Sequence, residues 1–179
     1  MKNILAFAGS NSSTSINHTL VKYIATQLTE HNVKIIQLKD YPMPIYSEDL
    51  EKSDGFGSWV RVLNNEIKEA DALLISVNEH NWGWSAFFKN TIDWLSRLDR
   101  NFLAGKKVLL MSTSPGRAGG AKSLQYGKEV FPKFGAEIIE SFSLPSFHHS
   151  FSEEKSAFLD ENVQLGLQEV LSSFSHQIQ

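Results

Sequence analysis

Three short stretches hold most of the side chains able to do chemistry. Gly9-Ser10-Asn11-Ser12-Ser13-Thr14-Ser15-Ile16-Asn17 places five hydroxyls and two amides around one glycine. Asn78-Glu79-His80-Asn81-Trp82-Gly83-Trp84-Ser85 combines a carboxylate, an imidazole, amides and two indoles. Ser112-Thr113-Ser114-Pro115-Gly116-Arg117-Ala118-Gly119-Gly120 is rich in hydroxyls and glycine around one cation. The first is the most informative, because Ile4–Ala8 before it is a short apolar run and Ile16, Leu20, Ile24 and Leu28 after it recur on one helical face. A hydroxyl-rich loop leading into a helix gathers N–H and O–H donors where the helix dipole is positive, which is how proteins hold phosphate. Ser and Thr also serve as plain N-caps, but capping needs only one of these hydroxyls.

The surrounding pattern alternates strand and helix. After the first strand and helix come a short strand over Val33–Leu38 and a long, partly apolar connection over residues 40–57. A helix from Ser58 to about Glu69 follows, with Trp59, Leu63 and Ile67 inward, and then an apolar strand over Ala72–Val77. A helix carrying Phe88, Ile92 and Leu95 leads to a strand at Lys107–Met111, then a helix with Leu124, Lys128 and Phe131 in line. Ala136–Glu140 forms the fifth strand and Ser143–Ser152 is irregular. A last helix is expected from about Glu153 to Phe174, with Leu159, Val163, Leu167, Leu171 and Phe174 inward. Five strands alternating with five helices, without a composition break, predict one α/β domain over 1–179 with a parallel sheet covered on both faces.

Composition narrows the function. A net charge of −3 argues against a nucleic-acid partner, whose footprint would be basic, and mildly against a strongly acidic electron carrier. The absence of cysteine excludes disulfides, Fe–S clusters and thiol redox chemistry. The apolar runs are far too short to span a membrane and the chain opens on a strand pattern without a signal-peptide core, so no membrane partner is expected and the expected location is cytoplasmic. His148 and His149 are neighbours in the sequence with no third ligand at metal spacing, and no metal site is expected.

In such a sheet, ligands bind beyond the carboxyl ends of the strands, where strand order reverses. The loops after strands one, three and four emerge there, and they are the three stretches above. The first lacks the Gly-Lys-Ser/Thr of a P-loop and the Gly-x-Gly-x-x-Gly of a dinucleotide cradle. Hydroxyl donors with few glycines suit a terminal phosphate monoester such as that of FMN, with the other two loops flanking a flat ring.

These residues resemble the NAD(P)H-dependent FMN reductase family, a flavodoxin-like group that includes quinone, azo and chromate reductases. The family's Gly-Ser-x-Arg-x-x-Ser-x-Asn is similar to Gly9–Asn17. Its Pro-Glu-Tyr-Asn and Lys-Asn-Ala-Ile-Asp-Trp are similar to Asn78–Asn81 and Lys89–Trp94, and its Ser-Pro-Gly-Arg-x-Gly-Gly stands intact at Ser114–Gly120. The resemblance implies a three-layer flavodoxin-like sandwich with a five-stranded parallel sheet in the order 2-1-3-4-5. It implies an FMN phosphate held by Ser10, Ser15, Ile16 and Asn17. It also implies that Glu79, His80 and Asn81 line the ribityl chain and ring and that Ser114, Pro115, Gly116, Arg117 and Gly119 run along the ring's polar edge. Trp82, in a loop at the ligand edge, is read from its position as a further site-lining residue. NADPH or NADH would be co-substrate, a small molecule the electron acceptor, and the assembly a homodimer or homotetramer to which the 40–57 loop contributes.

Three departures stand out. Ser12 replaces the family's arginine and so removes a charge-assisted phosphate contact. His80 replaces a tyrosine, and Trp82-Gly83-Trp84-Ser85-Ala86 replaces Gly-Ser-x-Pro-Gly, where two indoles either narrow the nicotinamide's entrance or stack on a ring. Plainer readings exist for several residues: core or interface packing for Trp82 and Trp84, a solvated charge for Arg117, and a structural role for Asp93 and Trp94. The expected function is an FMN-dependent oxidoreductase with no side chain as nucleophile and no catalytic residue assigned. The alternatives are an electron-carrier flavodoxin, or a flavodoxin-like binding or regulatory module without reductase activity.

Overall fold

The computed structural model describes residues 1–179. Strand β1 (Asn3–Ala8) runs into the hydroxyl loop and helix α1 (Ile16–Gln27), whose Leu20, Val21 and Ile24 are buried. The edge strand β2 (Asn32–Ile35) ends earlier than its apolar run predicts, because Leu38 turns inward on a short 3-10 turn. The 40–57 connection carries a helix of its own, α2 (Glu48–Asp54), capped by Ser47. Helix α3 (Ser58–Glu69) and β3 (Ala72–Val77) lie where expected. A two-residue hairpin of β4 (Glu79–His80) and β5 (Gly83–Trp84) precedes α4 (Ala86–Leu98). Strand β6 (Lys107–Thr113), α5 (Ala121–Val130) and β7 (Glu137–Leu144) complete the main sheet. A short helix α6 (Phe147–Ser150), a small hairpin of β8 (Phe151–Ser152) and β9 (Ala157–Phe158), and α7 (Glu161–Gln177) end the chain.

The main sheet has the order β2-β1-β3-β6-β7 with every pair parallel, which is 2-1-3-4-5 counted along its own strands. Side-chain alternation divides the apolar strands between two cores. Leu5, Phe7, Leu73, Ile75, Val108 and Leu110 face α3, α4 and α5, whereas Ile4, Ala6, Leu74, Leu109 and Met111 face α1 and α7. Both faces are covered, which is why these strands read as continuous apolar runs. No helix is long and apolar enough to cross a membrane.

Several expectations need correction. The inner stripe of α3 is Val60, Leu63, Asn64 and Ile67, so Trp59 lies one residue off it, 44% exposed, with its ring edge-on to Tyr41 at 5.8 Å. On α5 the inward residues are Ser123, Leu124 and Gly127, and Lys128 is exposed. The last helix begins at Glu161, not near Glu153, because the β8–β9 hairpin pins Phe151 and Phe158 edge-on against Tyr23, each at 5.1 Å. Leu159, expected inward, is exposed before the Asp160 N-cap. The structural reading of Trp94 holds: it is core and donates Nε1–H to the Pro44 carbonyl at 2.8 Å, while Asn90 anchors the 40–57 loop through Pro44 and Tyr46 and Asp93 pairs with Lys89 on its own helix.

Candidate active site

The chain runs from β1 outward to β2 and then returns past β1 to β3, so strand order reverses between β1 and β3. Beyond that reversal lies an open cleft of about 270 Å³. It is lined by Ser10, Ser12, Thr14, Ser15, Ile16 and Asn17 after β1, by Asn78, Glu79 and His80 after β3, and by Thr113, Ser114 and Pro115 after β6. A groove of about 380 Å³ at the opposite, amino end of the sheet is larger, but its one cation, Lys34, is already paired with Glu66 at 3.2 Å.

The hydroxyl loop is wound on its own side chains. Ser12 N–H donates to Ser10 Oγ and Thr14 N–H to Ser12 Oγ, each at 3.2 Å, and His18 N–H donates to Ser15 Oγ, the N-cap of α1, at 3.2 Å. A hydroxyl that accepts a backbone N–H keeps its own proton to donate; those of Ser10 and Ser15 meet no acceptor in the chain, whereas Ser12 Oγ and Thr14 Oγ1 share one hydrogen bond at 3.3 Å. The N–H groups of Ser10, Asn11, Ser13, Ser15, Ile16 and Asn17 meet no acceptor in the chain. Capping and anion binding are therefore compatible uses of this one loop. Burial, and then the charge of Lys22, hold the His18 imidazole below its ordinary pKa in the first turn of α1.

Asn17 stands apart from the other loop residues. It is 4% exposed, and its side chain bridges the sheet: Nδ2 donates to the Thr113 carbonyl at 3.1 Å, while Oδ1 accepts from Thr113 N–H at 3.1 Å and from Ser76 Oγ at 2.7 Å. The amide is spent on positioning β3, β6 and α1 relative to one another.

The β4–β5 hairpin is fixed at its base. Glu79, paired across the hairpin with Trp84, accepts the N–H of Ser123 at 2.9 Å. Trp84 Nε1–H donates to the carbonyl of the same Ser123 at 3.0 Å. The α5 N-cap, Gly120, has no side chain, so the Glu79 carboxylate caps this helix from outside it. Trp84 is 8% exposed and packs on Phe88, Tyr126 and Phe131, while Ser85 joins the Gly9 carbonyl at 3.0 Å to the α4 N-terminus at Phe88 N–H. Asn81 and Trp82 form the turn with φ of +50° and +66°, and Trp82 is 78% exposed. Of the two indoles, only Trp82 stands in solvent.

The third loop offers backbone donors. The carbonyls of Ser114 and Gly116 accept N–H groups from Phe147 and Ser146, while the N–H groups of Ser114, Gly116, Arg117 and Ala118 meet no acceptor in the chain. Gly119 is buried against the end of β7. Its carbonyl accepts from Ser112 Oγ and Ser143 Oγ, and a Cβ there would lie 2.5 Å from Ser143 Oγ.

Of the residues picked from sequence, Ser10, Ser15, Ile16, Asn17, Glu79, His80, Ser114 and Pro115 come together in the cleft. Asn81, Trp82, Gly116, Arg117 and Gly119 lie outside its lining: the first two at the hairpin tip, Gly116 and the exposed Arg117 farther along their loop, Gly119 packed on β7. Sequence reasoning passed over Ser12, Thr14, Asn78 and Thr113 as lining residues. Asn78 is the first residue past β3 and Thr113 the last of β6, and strand ends at the switch point were the available signal.

A model of the NADPH-dependent FMN reductase family matches residues 2–149. The NADPH:quinone oxidoreductase of Arabidopsis thaliana is 34% identical over 177 residues, covering 95% of this chain and 88% of that protein. The quinone reductase of Escherichia coli (strain K12) is 35% identical over 97 residues, which are 54% of this chain and 52% of that one, so the match spans about half that relative's length. The flavoenzyme NAD(P)H:(acceptor) oxidoreductase FerB from Paracoccus denitrificans superposes with a TM-score of 0.78 at 26% identity, over 99% of this chain and 97% of that one. Sheet order, the cleft at the β1–β3 reversal and the family match agree, and this chain belongs to the NADPH-dependent FMN reductase family.

Proposed function

We propose that this protein is an FMN-dependent oxidoreductase that takes hydride from NADPH or NADH and passes electrons to a small acceptor, a quinone or a flavin. The observation that carries the reading is the set of unpaired donors around the cleft. The outward hydroxyl protons of Ser10 and Ser15 and the free N–H groups of Ile16 and Asn17 sit at the α1 N-terminus and suit the phosphate. The free N–H of Ser114 in the lining, and those of Gly116, Arg117 and Ala118 farther along the same loop, suit the carbonyl and nitrogen edge of a flat heterocycle that extends past the cleft. These donors fit FMN without the family's arginine, because the hydroxyls at 10, 12, 14 and 15 and the helix dipole supply the positive potential.

Bound FMN would supply the redox chemistry, that of a hydride acceptor and electron donor. The chain's own residues bind and orient. The 10–17 loop holds the anionic end, and the 114–118 loop polarises the ring edge. Glu79 and Trp84 lock the hairpin to α5 so that His80 and Trp82 keep their places. No side chain is assigned as nucleophile. The quinone acceptor draws support from the printed activities of the Arabidopsis and E. coli relatives. A homodimer or homotetramer, supported by exposed Ile45 and Trp82, is part of the proposal, and a cytoplasmic location belongs to it too.

The test is anaerobic: load the protein with FMN, add NADPH or NADH, and follow flavin absorbance near ~450 nm. Rapid bleaching, reversed by a quinone, is the expected result. Bound flavin that stays yellow overturns the reductase reading in favour of a carrier or sensor, and failure to bind FMN overturns the cofactor.

A further inference from the structure

Asn78 is a polar side chain that the fold buries and leaves under-used. It is 6% exposed, and its amide makes a single contact, Nδ2 to His80 Nε2 at 3.5 Å, at the long limit of a hydrogen bond. Its Oδ1 is closed to solvent and has no donor in the chain. An amide can accept at one end and donate twice at the other, so whichever way this one is turned, one end meets His80 and the other meets nothing. Folds retain such groups where a ligand or ordered solvent completes them.

Backbone alternation places the group. Asn78 and His80 are two residues apart on extended chain and share a side, while the Glu79 carboxylate between them is committed to Ser123 on α5. Both 78 and 80 line the cleft. Because β3 lies between β1 and β6, Asn78 stands midway between the donor loop after β1 and the backbone donors after β6. In FMN, the portion between phosphate and ring is the ribityl chain. Its hydroxyls both donate and accept, so they satisfy either end of an amide, whereas a phosphate oxygen or ring carbonyl satisfies only the Nδ2 end.

We propose that Asn78 binds a ribityl hydroxyl of FMN, the amide turning about χ2 out of its long contact with His80 to bring its unpartnered end into the cleft. The inference rests on the FMN reading above. It assigns this chain a cofactor contact that the family's proline cannot make at this position, since proline has no polar side-chain atom.

The test compares wild-type protein with Asn78→Ala and Asn78→Ser, measuring FMN dissociation constants by flavin fluorescence and thermal midpoints with and without FMN. FMN analogues each lacking one ribityl hydroxyl complete the cycle. Asn78→Ala is expected to leave the midpoint of the FMN-free protein unchanged or raised, because it removes an unpaired buried oxygen, and to weaken FMN binding about tenfold. That penalty disappears for the one analogue without the partnered hydroxyl, and Asn78→Ser recovers part of it. An unchanged dissociation constant overturns the proposal, as does a lowered FMN-free midpoint with the same penalty for every analogue. Wild-type protein that binds no FMN overturns the cofactor reading and this contact with it, and that result is visible before any variant is made.

Discussion

Asn17 and Thr113, 96 positions apart, are bonded in both directions: the Asn17 amide donates to the Thr113 carbonyl and accepts its N–H, each at 3.1 Å. With Ser76 Oγ as third partner, one side chain joins the ends of β3 and β6 to the first turn of α1. Asn17→Ala would leave three buried groups without partners, and unfolding stability is expected to fall by about 2–4 kcal/mol. Asn17→Asp keeps the shape but sets a carboxylate against the Thr113 carbonyl and should be no better. Urea unfolding of the FMN-free protein decides the matter. A phosphate ligand without a structural role would leave that midpoint unchanged and alter only FMN affinity.

The Glu79–Ser123 contact makes a different prediction. Glu79 supplies a cap that Gly120 cannot, so Glu79→Ala is expected to cost about 1 kcal/mol and to loosen the hairpin. Glu79→Gln keeps an acceptor and loses only the charge interaction with the helix dipole, a smaller effect. Because Trp84 shares Ser123 as a partner, near-ultraviolet circular dichroism should report the loosening in Glu79→Ala and not in Glu79→Gln. Equal signals from the two variants would remove Glu79 from the capping role.

His18 gives the fold a pH dependence with a definite sign. Burial, followed by Lys22 and Lys39, holds its pKa below the ordinary 6.5, with Asp40 opposing. A group whose folded pKa is lowered binds fewer protons folded than unfolded. The stability is therefore fully present above pH 6.5 and is lost as the pH falls through the lowered value. The wild-type urea midpoint should decline from pH 7 toward pH 5 more steeply than that of His18→Gln. Parallel declines would show that His18 is not the group responsible.

How much of this could be read in the chain depends on how local each cause is. The run Ala72–Val77 announces a strand covered on both faces because burial on each face follows from alternation alone. Val60 and Trp59 both fit a helical stripe with Leu63 and Ile67, and only the packing of α3 on the sheet separates them. The late start of α7 depends on Tyr23 receiving Phe151 and Phe158, contacts between distant parts of the chain. In the site, loop types and their convergence were legible, since strand-end loops must emerge on one edge. The commitment of Asn17 to Thr113 and the unpartnered Asn78 Oδ1 were not, because each depends on which atoms of other loops lie within reach.

Trp82 holds a left-handed backbone, φ +66°, at the second position of a two-residue turn whose first position is Asn81 at +50°. Both values suit the mirror-image turn that hairpins favour, and glycine is the residue that takes the second position without strain. A bulky L-residue there costs about 1–2 kcal/mol, while its indole, 78% exposed, returns little packing within the chain. Trp82→Gly is therefore expected to raise the stability of the FMN-free protein by about 1 kcal/mol, less what the unfolded chain gains in freedom from glycine. Strain kept in that way is repaid elsewhere, and the hairpin places Trp82 two residues beyond cleft-lining His80. The same variant should slow NAD(P)H-driven bleaching of the flavin, or shift the protein toward monomer in size-exclusion chromatography if the indole seats on a second subunit. The two readouts separate these outcomes, and because the variant is stabilised neither can be blamed on unfolding. A Trp82→Gly protein no more stable than wild type would show that the turn carries no strain to repay.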